Sequence, residues 1–173
     1  MGCSESMPWR RDDAISLRPA RAEDEAFLYA VYAATRADEL ALLTWDQAQK
    51  DAFLTMQFTA QHRHYHTYYA GAEFQLVLLN GRPVGRLYVA RQADDILLID
   101  IVLLPDYRNA GIGTFLLTDL LVEARQASKP VRLHVEPWNP ARRLYERLGF
   151  NRIAEHGLYW LMEWSPPGAV GTA

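Results

Sequence analysis

The stretch DDILLIDIVLLPDYRNAGIGTFLLTDLL, Asp94 to Leu121, decides the fold. Its first half, to Leu104, is apolar on both faces, the pattern of a strand in the middle of a sheet. Its second half, with Ala124 just beyond, repeats Phe115, Leu116 and Leu120 at helical spacing, and Lys129-Pro130 stops the helix. Between strand and helix stand Arg108, Gly111 and Gly113, where a plain turn would do. A helix N-terminus leaves its first N–H groups without partners and carries partial positive charge. Bare backbone there lets the amides of Asn109, Ala110, Gly111, Ile112, Gly113 and Thr114 face a phosphate or pyrophosphate. Arg108 adds charge, and a helix beginning near Gly113 supplies the dipole. A lone Gly-x-Gly fits a tight strand-to-helix turn equally well.

Outward from this stretch, the chain alternates strands and helices. EFQLVLLNGRPVGRLYVAR, from Glu73, is a hairpin about Asn80-Gly81, a pair suited to a type I′ turn. Upstream, AISLRPA (Ala14–Ala20) reads as a strand. The following helix has Phe27, Leu28, Val31, Ala34 and Ala37 in one stripe. A second helix, with Thr44 as cap, has Ala48, Ala52, Phe53, Met56 and Ala60 at helical spacing and ends in a run dense in His and Tyr. Downstream come the strand VRLHVE, a helix with Asn139 as cap, Pro140 at its first position and Gly149 past its end, and a last strand LYWLMEW. Residues 1–13 read as a disordered leader, 14–164 as one domain and 165–173 as a flexible tail.

Composition narrows the function. Half of the 173 residues are hydrophobic, enough for a real core. A formal charge of -3 and a pI near 5.9 give no basic footprint for nucleic acid or an anionic membrane. Lysines are scarce and arginines many, which suits planar anion recognition. The single cysteine, Cys3, permits no internal disulfide and offers no nucleophile within the fold, and no apolar stretch is long enough to span a membrane, so a cytoplasmic location is expected. MGCSES formally fits a myristoylation pattern on Gly2, against the plainer reading of a leader with Met7 as an alternative start. No Gly-Lys-Ser/Thr follows the glycine loop, and Leu116 stands where a dinucleotide fingerprint wants a third glycine.

RNAGIG, Arg108 to Gly113, resembles the acetyl-coenzyme A motif of the GNAT superfamily of N-acetyltransferases, Arg/Gln-x-x-Gly-x-Gly/Ala. LHVEPWNPARRLYERLGF, Leu133 to Phe150, resembles the motif that follows it in that family. The likeness extends over roughly Ile15 to Trp164 and is weakest over about Thr35 to Ala72, where members diverge.

The resemblance implies a single α/β domain with a mixed, largely antiparallel central sheet flanked by helices and a V-shaped opening between the two middle strands. It implies acetyl-coenzyme A as co-substrate and a small-molecule or peptide amine as acceptor, attacked directly in a ternary complex. It also implies a strand bulge near Leu103 and Leu104 whose backbone pairs with the pantetheine arm, a cofactor contact by Asn139, and Tyr145 as proton donor to the leaving thiolate. A sensor that binds acetyl-coenzyme A without turnover, or the same fold using another acyl group, are the rival readings.

The general base has several candidates. Asp100 interrupts an apolar run, where a carboxylate is costly unless paired or useful; Arg86, Arg91 or Arg132 would be its structural partners. Glu136 and His134 share a face of the next strand. Trp45, Gln57, Gln61 and Tyr65 are candidate acceptor-pocket residues. His62 and His66 share a helix face, but no acidic or cysteine partner completes a metal set, and no metal is expected. Arg142 and Arg143 read as a solvated face or as partners for the cofactor's phosphates. Aromatic residues on the last strand would suit a homodimer.

Overall fold

The computed structural model describes residues 14–168. Its elements are β1 (Ile15–Pro19), α1 (Glu25–Ala41), α2 (Gln47–Tyr68), β2 (Glu73–Leu79), β3 (Arg82–Arg91), β4 (Ile96–Leu103), α3 (Ile112–Ala127), β5 (Val131–Val135), α4 (Arg142–Arg147), β6 (Asn151–His156) and β7 (Tyr159–Trp164). The strands form one seven-stranded sheet in the order β1-β2-β3-β4-β5-β7-β6, with β4 at its centre as the apolar run required. β1 with β2, β5 with β7 and β6 with β7 are antiparallel, and β4 with β5 is parallel. The architecture is therefore the mixed, mostly antiparallel sheet flanked by helices that the sequence implied. The proposed leader and the residues after Gly168 lie outside the described residues.

The described residues form two compact units, one of residues 14–87 with Ile101–Ala110, the other of Tyr88–Asp100 with residues 111–168. In the first, Asn80 and Gly81 both take positive φ, 50° and 80°, as a type I′ turn requires. The Asn80 carboxamide oxygen also accepts the Ala14 N–H at 2.9 Å. α1 buries Leu28, Val31, Tyr32 and Leu40. Its entry is fixed by Asp24, which accepts two hydrogen bonds from the Arg18 guanidinium (2.7 and 2.8 Å) and one from the Arg21 N–H (2.8 Å). The Arg18 hydrogen bonds, reinforced by the Arg21 amide, hold the Asp24 carboxyl at about 2.

The reading of α2 needs correction. Its cap is Asp46 and not Thr44: the Asp46 carboxylate accepts the Gln49 N–H at 2.8 Å, while Gln49 Oε1 accepts the Asp46 N–H at 3.0 Å. Its buried residues are Leu54 and Phe58, whereas Ala48, Ala52, Met56 and Ala60 are exposed and Phe53 is half-buried. The packing partners decide this, because Phe58 meets Tyr29 and Tyr32 of α1 at ring distances of 5.6 and 6.0 Å. A stripe of alanines offers far less area to bury than one leucine and one phenylalanine.

In the second unit α3 buries Ile112, Leu116, Leu117, Leu120, Leu121 and Ala124, and Phe115, read as inward, is 50% exposed. Ser128, with φ 55°, ends α3. Its N–H donates to the Arg125 carbonyl and that of Lys129 to the Ala124 carbonyl. Around α4 the sequence punctuation works, but the regular helix is shorter than expected. Asn139 Oδ1 accepts the Ala141 N–H at 2.9 Å, and three-residue bonds follow from Asn139, Pro140 and Ala141 before α4 begins. Gly149, φ 96°, closes it: Gly149 N–H donates to Glu146 O and Phe150 N–H to Tyr145 O. β6 was not foreseen as a separate strand. It pairs with β7 through a hairpin at Gly157, φ 61°, and four of its six residues are polar because it lies at the sheet edge.

Candidate functional site

The loop after β4 is built from alternating backbone conformations. Arg108 is extended (ψ 157°), Asn109 is left-handed (φ 58°), Ala110 is 1% exposed and Gly111 is left-handed again (φ 88°). α3 starts at Ile112, one residue before the expected position, and its ladder opens with the Phe115 N–H donating to Gly111 O at 2.9 Å. The N–H groups of Ile112, Gly113 and Thr114 therefore have no acceptor within the helix. The two glycines have different causes. Gly111 is required by its φ. Gly113 is not, because its backbone is helical and an added Cβ would meet only Leu144 Cδ2 at 3.5 Å, an ordinary contact. Among the described residues nothing demands glycine there, although glycine costs a helix roughly 0.5–1 kcal/mol relative to alanine. Bare amides at a helix N-terminus, left bare at that cost, fit a pyrophosphate group.

The end of β4 is pinned from one side by a residue the sequence reading passed over. A Cβ added to Gly85 of β3 would land on the Val102 carbonyl oxygen and lie 2.8 Å from Leu103 Cδ2 and 3.1 Å from Leu103 Cα. The signal was present: a glycine within a strand marks a bulge or a close backbone approach. Just beyond, Leu104 N–H donates to Val84 O at 2.9 Å, and Arg108 Nε reaches back to Leu103 O at 2.9 Å. At the end of β4 one carbonyl, that of Leu103, and one amide, that of Leu104, are thus already engaged by the chain. The ladder between β4 and β5 is three residue pairs long, Ile96–Leu98 against Val131–Leu133, while β4 continues to Leu103.

Tyr145 is 6% exposed, with its ring edge-on to Phe150 at 5.8 Å. Burial pushes its phenol above the ordinary phenol range, and the negative charge of Asp100 pushes the same way. Tyr145 and Asp100, predicted separately, are thus within electrostatic reach of each other. Arg91 binds Glu123 at 2.5 Å, and Arg132 binds Asp95 at 3.0 Å and Glu163 at 2.7 Å. Arg86 is 2% exposed and donates to Gln61 Oε1 at 2.9 Å. Glu136 is half-buried at the turn after β5, where its carbonyl accepts the Asn139 N–H at 3.0 Å. His134 is exposed on β5, with its ring 5.9 Å from His156.

The same turn carries a shallow cavity of about 270 Å³ lined by Pro137, Trp138, Asn139, Pro140, Arg142 and Arg143. Arg142 is not a freely solvated side chain: its Nη1 donates to Pro137 O at 2.7 Å and its guanidinium lies 4.9 Å over the Trp160 ring. Arg143 is exposed.

On α2, Gln57, Gln61 and Tyr65 follow one another at four-residue spacing and are all half-buried, so they share one face. Trp45 precedes the helix and packs edge-on against Phe53 at 5.4 Å. The His62 and His66 rings lie 4.4 Å apart, tilted by 58°, and His66 lies 4.4 Å from Phe74, tilted by 37°. Burial first, then the charge of His66, holds His62 below its ordinary value. Among the described residues no three His, Cys, Asp or Glu side chains form a group that could hold a metal, and no helix is long and apolar enough to cross a membrane.

Comparison with known proteins agrees with this geometry. The [ribosomal protein]-alanine N-acetyltransferase of Haemophilus influenzae is 32% identical over 75 residues, 43% of this chain, and the chain spans about half (51%) of that protein. Among solved structures, the PaiA N-acetyltransferase of Thermoplasma acidophilum, in complex with coenzyme A, matches with a TM-score of 0.67 at 18% identity over 88% of this chain and 99% of that one. The ribosomal-protein-alanine N-acetyltransferase of Escherichia coli matches with a TM-score of 0.59 at 18% identity, over 92% and 99%. These structural likenesses bear on the fold. The model of the Acetyltransferase (GNAT) family matches residues 32–150, more than half of the sequence, and the chain belongs to that family.

Proposed function

We propose that the protein is an acetyl-coenzyme A-dependent N-acetyltransferase acting on a primary amine of a small molecule or a protein. The observation that carries this reading is the unexplained glycine at position 113, beside three helix amides without intrahelical acceptors. The named relative of Haemophilus influenzae, an alanine N-acetyltransferase of a ribosomal protein, supports an amine acceptor, and the coenzyme A held by the Thermoplasma acidophilum structure supports the co-substrate.

When bound, acetyl-coenzyme A supplies an acetyl group activated as a thioester. The amides of Ile112, Gly113 and Thr114, with Asn109 to Gly111 curling before them and Arg108 nearby, bind the pyrophosphate. Leu103 and Leu104 offer main-chain groups to the pantetheine arm, and Asn139 adds a contact. Tyr145 stays neutral at any ordinary pH and so always carries its proton. Its raised pKa lies above the roughly 8.5 of a thiol, which makes it a hydrogen-bond donor to the sulfur as charge develops there and a reluctant full proton donor. An alkylamine, with a pKa near 10.4, must lose a proton before it attacks, and Asp100 or Glu136, directly or through water, takes it.

The test is release of free coenzyme A thiol from acetyl-coenzyme A across a panel of alkylamines, amino acids and short peptides. Amine-dependent release supports the enzyme. Tight binding with no release on any acceptor would instead make the protein a sensor of acetyl-coenzyme A.

A further inference from the structure

α4 carries three arginines, and their partners set them apart. Arg142 is committed: its Nη1 donates to Pro137 O, its guanidinium pairs with Glu146 at 3.2 Å and it covers the Trp160 ring. Glu146 is the one carboxylate of α4, so Arg143 and Arg147 have none on their own helix. Both are exposed, and among the described residues neither guanidinium makes a hydrogen bond or an ion pair. They stand four residues apart, the spacing at which like charges on a helix repel. Their place in the fold gives this uncompensated pair a neighbour. Leu144 faces the start of α3, because a Cβ at Gly113 would lie 3.5 Å from Leu144 Cδ2. With about 3.6 residues per turn, Tyr145 and Arg143 flank Leu144 on opposite sides. Tyr145 is buried, so Arg143 lies on the solvent side of this contact, with Arg147 one turn further along the same face. Arg143 also lines the cavity shared by Trp138 and Asn139.

Resting on the coenzyme A reading, we infer that Arg143 and Arg147 form a second anion site, for the phosphate monoester on the ribose of coenzyme A, beside the pyrophosphate held at the start of α3. The two phosphate groups call for different hosts. The pyrophosphate lies within the ligand's chain, and bare amides can close around it. The ribose phosphate is terminal, carries a charge of roughly -2 at neutral pH and presents three free oxygens. Two guanidinium forks at a solvent edge match that charge and geometry, and the phosphate in turn relieves the repulsion between them. The cavity beside Arg143, with the Trp138 ring 66% exposed at its wall, leaves room for the adenosine that bears the phosphate. Arg142, already paired, takes no part.

The experiment is calorimetric titration with coenzyme A and with 3′-dephospho-coenzyme A, which lacks only this phosphate, in the wild type, Arg143→Gln, Arg147→Gln and the double variant. The wild type should prefer coenzyme A by at least about tenfold, the scale of one hydrogen bond to a charged group. Each single variant should lose part of that preference, and the double variant should bind the two ligands alike. Affinity for the dephosphorylated ligand should stay at the wild-type level throughout, a result that mere destabilisation does not give. Both positions are exposed, so the variants should fold, and thermal melts on the same preparations check that they do. A wild type that binds both ligands equally, or a folded double variant that keeps the preference, overturns the inference alone. So does an equal loss of affinity for both ligands, which would assign the arginines to the pyrophosphate. A wild type that binds neither ligand overturns the coenzyme A reading and this inference with it.

Discussion

Replacing Gly113 by alanine separates a structural glycine from one kept bare for a ligand. The position is helical with an ordinary φ, and the new methyl group would sit 3.5 Å from Leu144 Cδ2, in normal contact. Alanine is favoured over glycine in a helix by about 0.5–1 kcal/mol, and no steric term opposes that gain. For a chain of this size the melting temperature should rise by about 1–4 °C. A pyrophosphate held at these amides requires bare backbone at position 113, so on the proposed function the same methyl group crowds the ligand. Loss of one hydrogen bond to a charged group, about 1.5–3 kcal/mol, weakens coenzyme A binding by roughly 10- to 100-fold. Thermal melts and calorimetric titration with coenzyme A on one preparation read both effects. Gly111→Ala is the control: a left-handed φ of 88° costs alanine about 1–2 kcal/mol, so stability and binding fall together. A Gly113→Ala protein that melts below the wild type, or that binds coenzyme A as tightly, refutes the reasoning.

Gly85→Ala should lower stability by about 1–2 kcal/mol, the overpacking of a backbone contact outweighing the entropic gain of alanine, and should reduce coenzyme A affinity through the shifted Leu103; a melting temperature at or above the wild type would show that β3 does not pin β4. Tyr145→Phe keeps the ring against Phe150, so folding should be nearly unchanged while kcat falls at least about tenfold with coenzyme A affinity intact. Unaltered kcat would remove the phenol from the mechanism. Asp24, depressed to about 2, contributes stability that is complete above the unfolded aspartate value near 3.9 and is lost as the pH falls towards 2. Denaturant midpoints between pH 5 and 2 should therefore drop more steeply in the wild type than in Asp24→Asn, and parallel curves would contradict the pairing with Arg18. His62, also depressed, binds more protons unfolded than folded, so its contribution is present above pH 6.5 and declines below it; stability measured from pH 7.5 to 5 should fall less in His62→Gln.

Much of this was legible because backbone chemistry announces itself. Asn80-Gly81 specifies a turn with two positive φ values and Gly149 a helix end, and each lies where it was read. The central position of β4 followed from a run too apolar to face water. What failed depended on neighbours. α2 has little apolar contrast between its faces, so only its contact with Tyr29 and Tyr32 fixes Leu54 and Phe58 as the buried pair. β6 carries polar residues because it is an edge strand, and a polar strand looks like a loop until its partner is known. At the site, Gly111 and Gly113 were read together as one bare loop, although only the first is demanded by backbone conformation. Gly85 was missed because its reason lies on another strand, and the tie between Arg86 and Gln61 spans 25 residues with no local pattern to reveal it.

The central claim is that the main chain at the start of α3 holds the pyrophosphate of coenzyme A. Calorimetric titration of the folded wild-type protein with acetyl-coenzyme A tests it most directly: one site per chain is expected, its affinity reduced in Gly113→Ala. A titration showing no binding, with the protein folded throughout, would contradict the account.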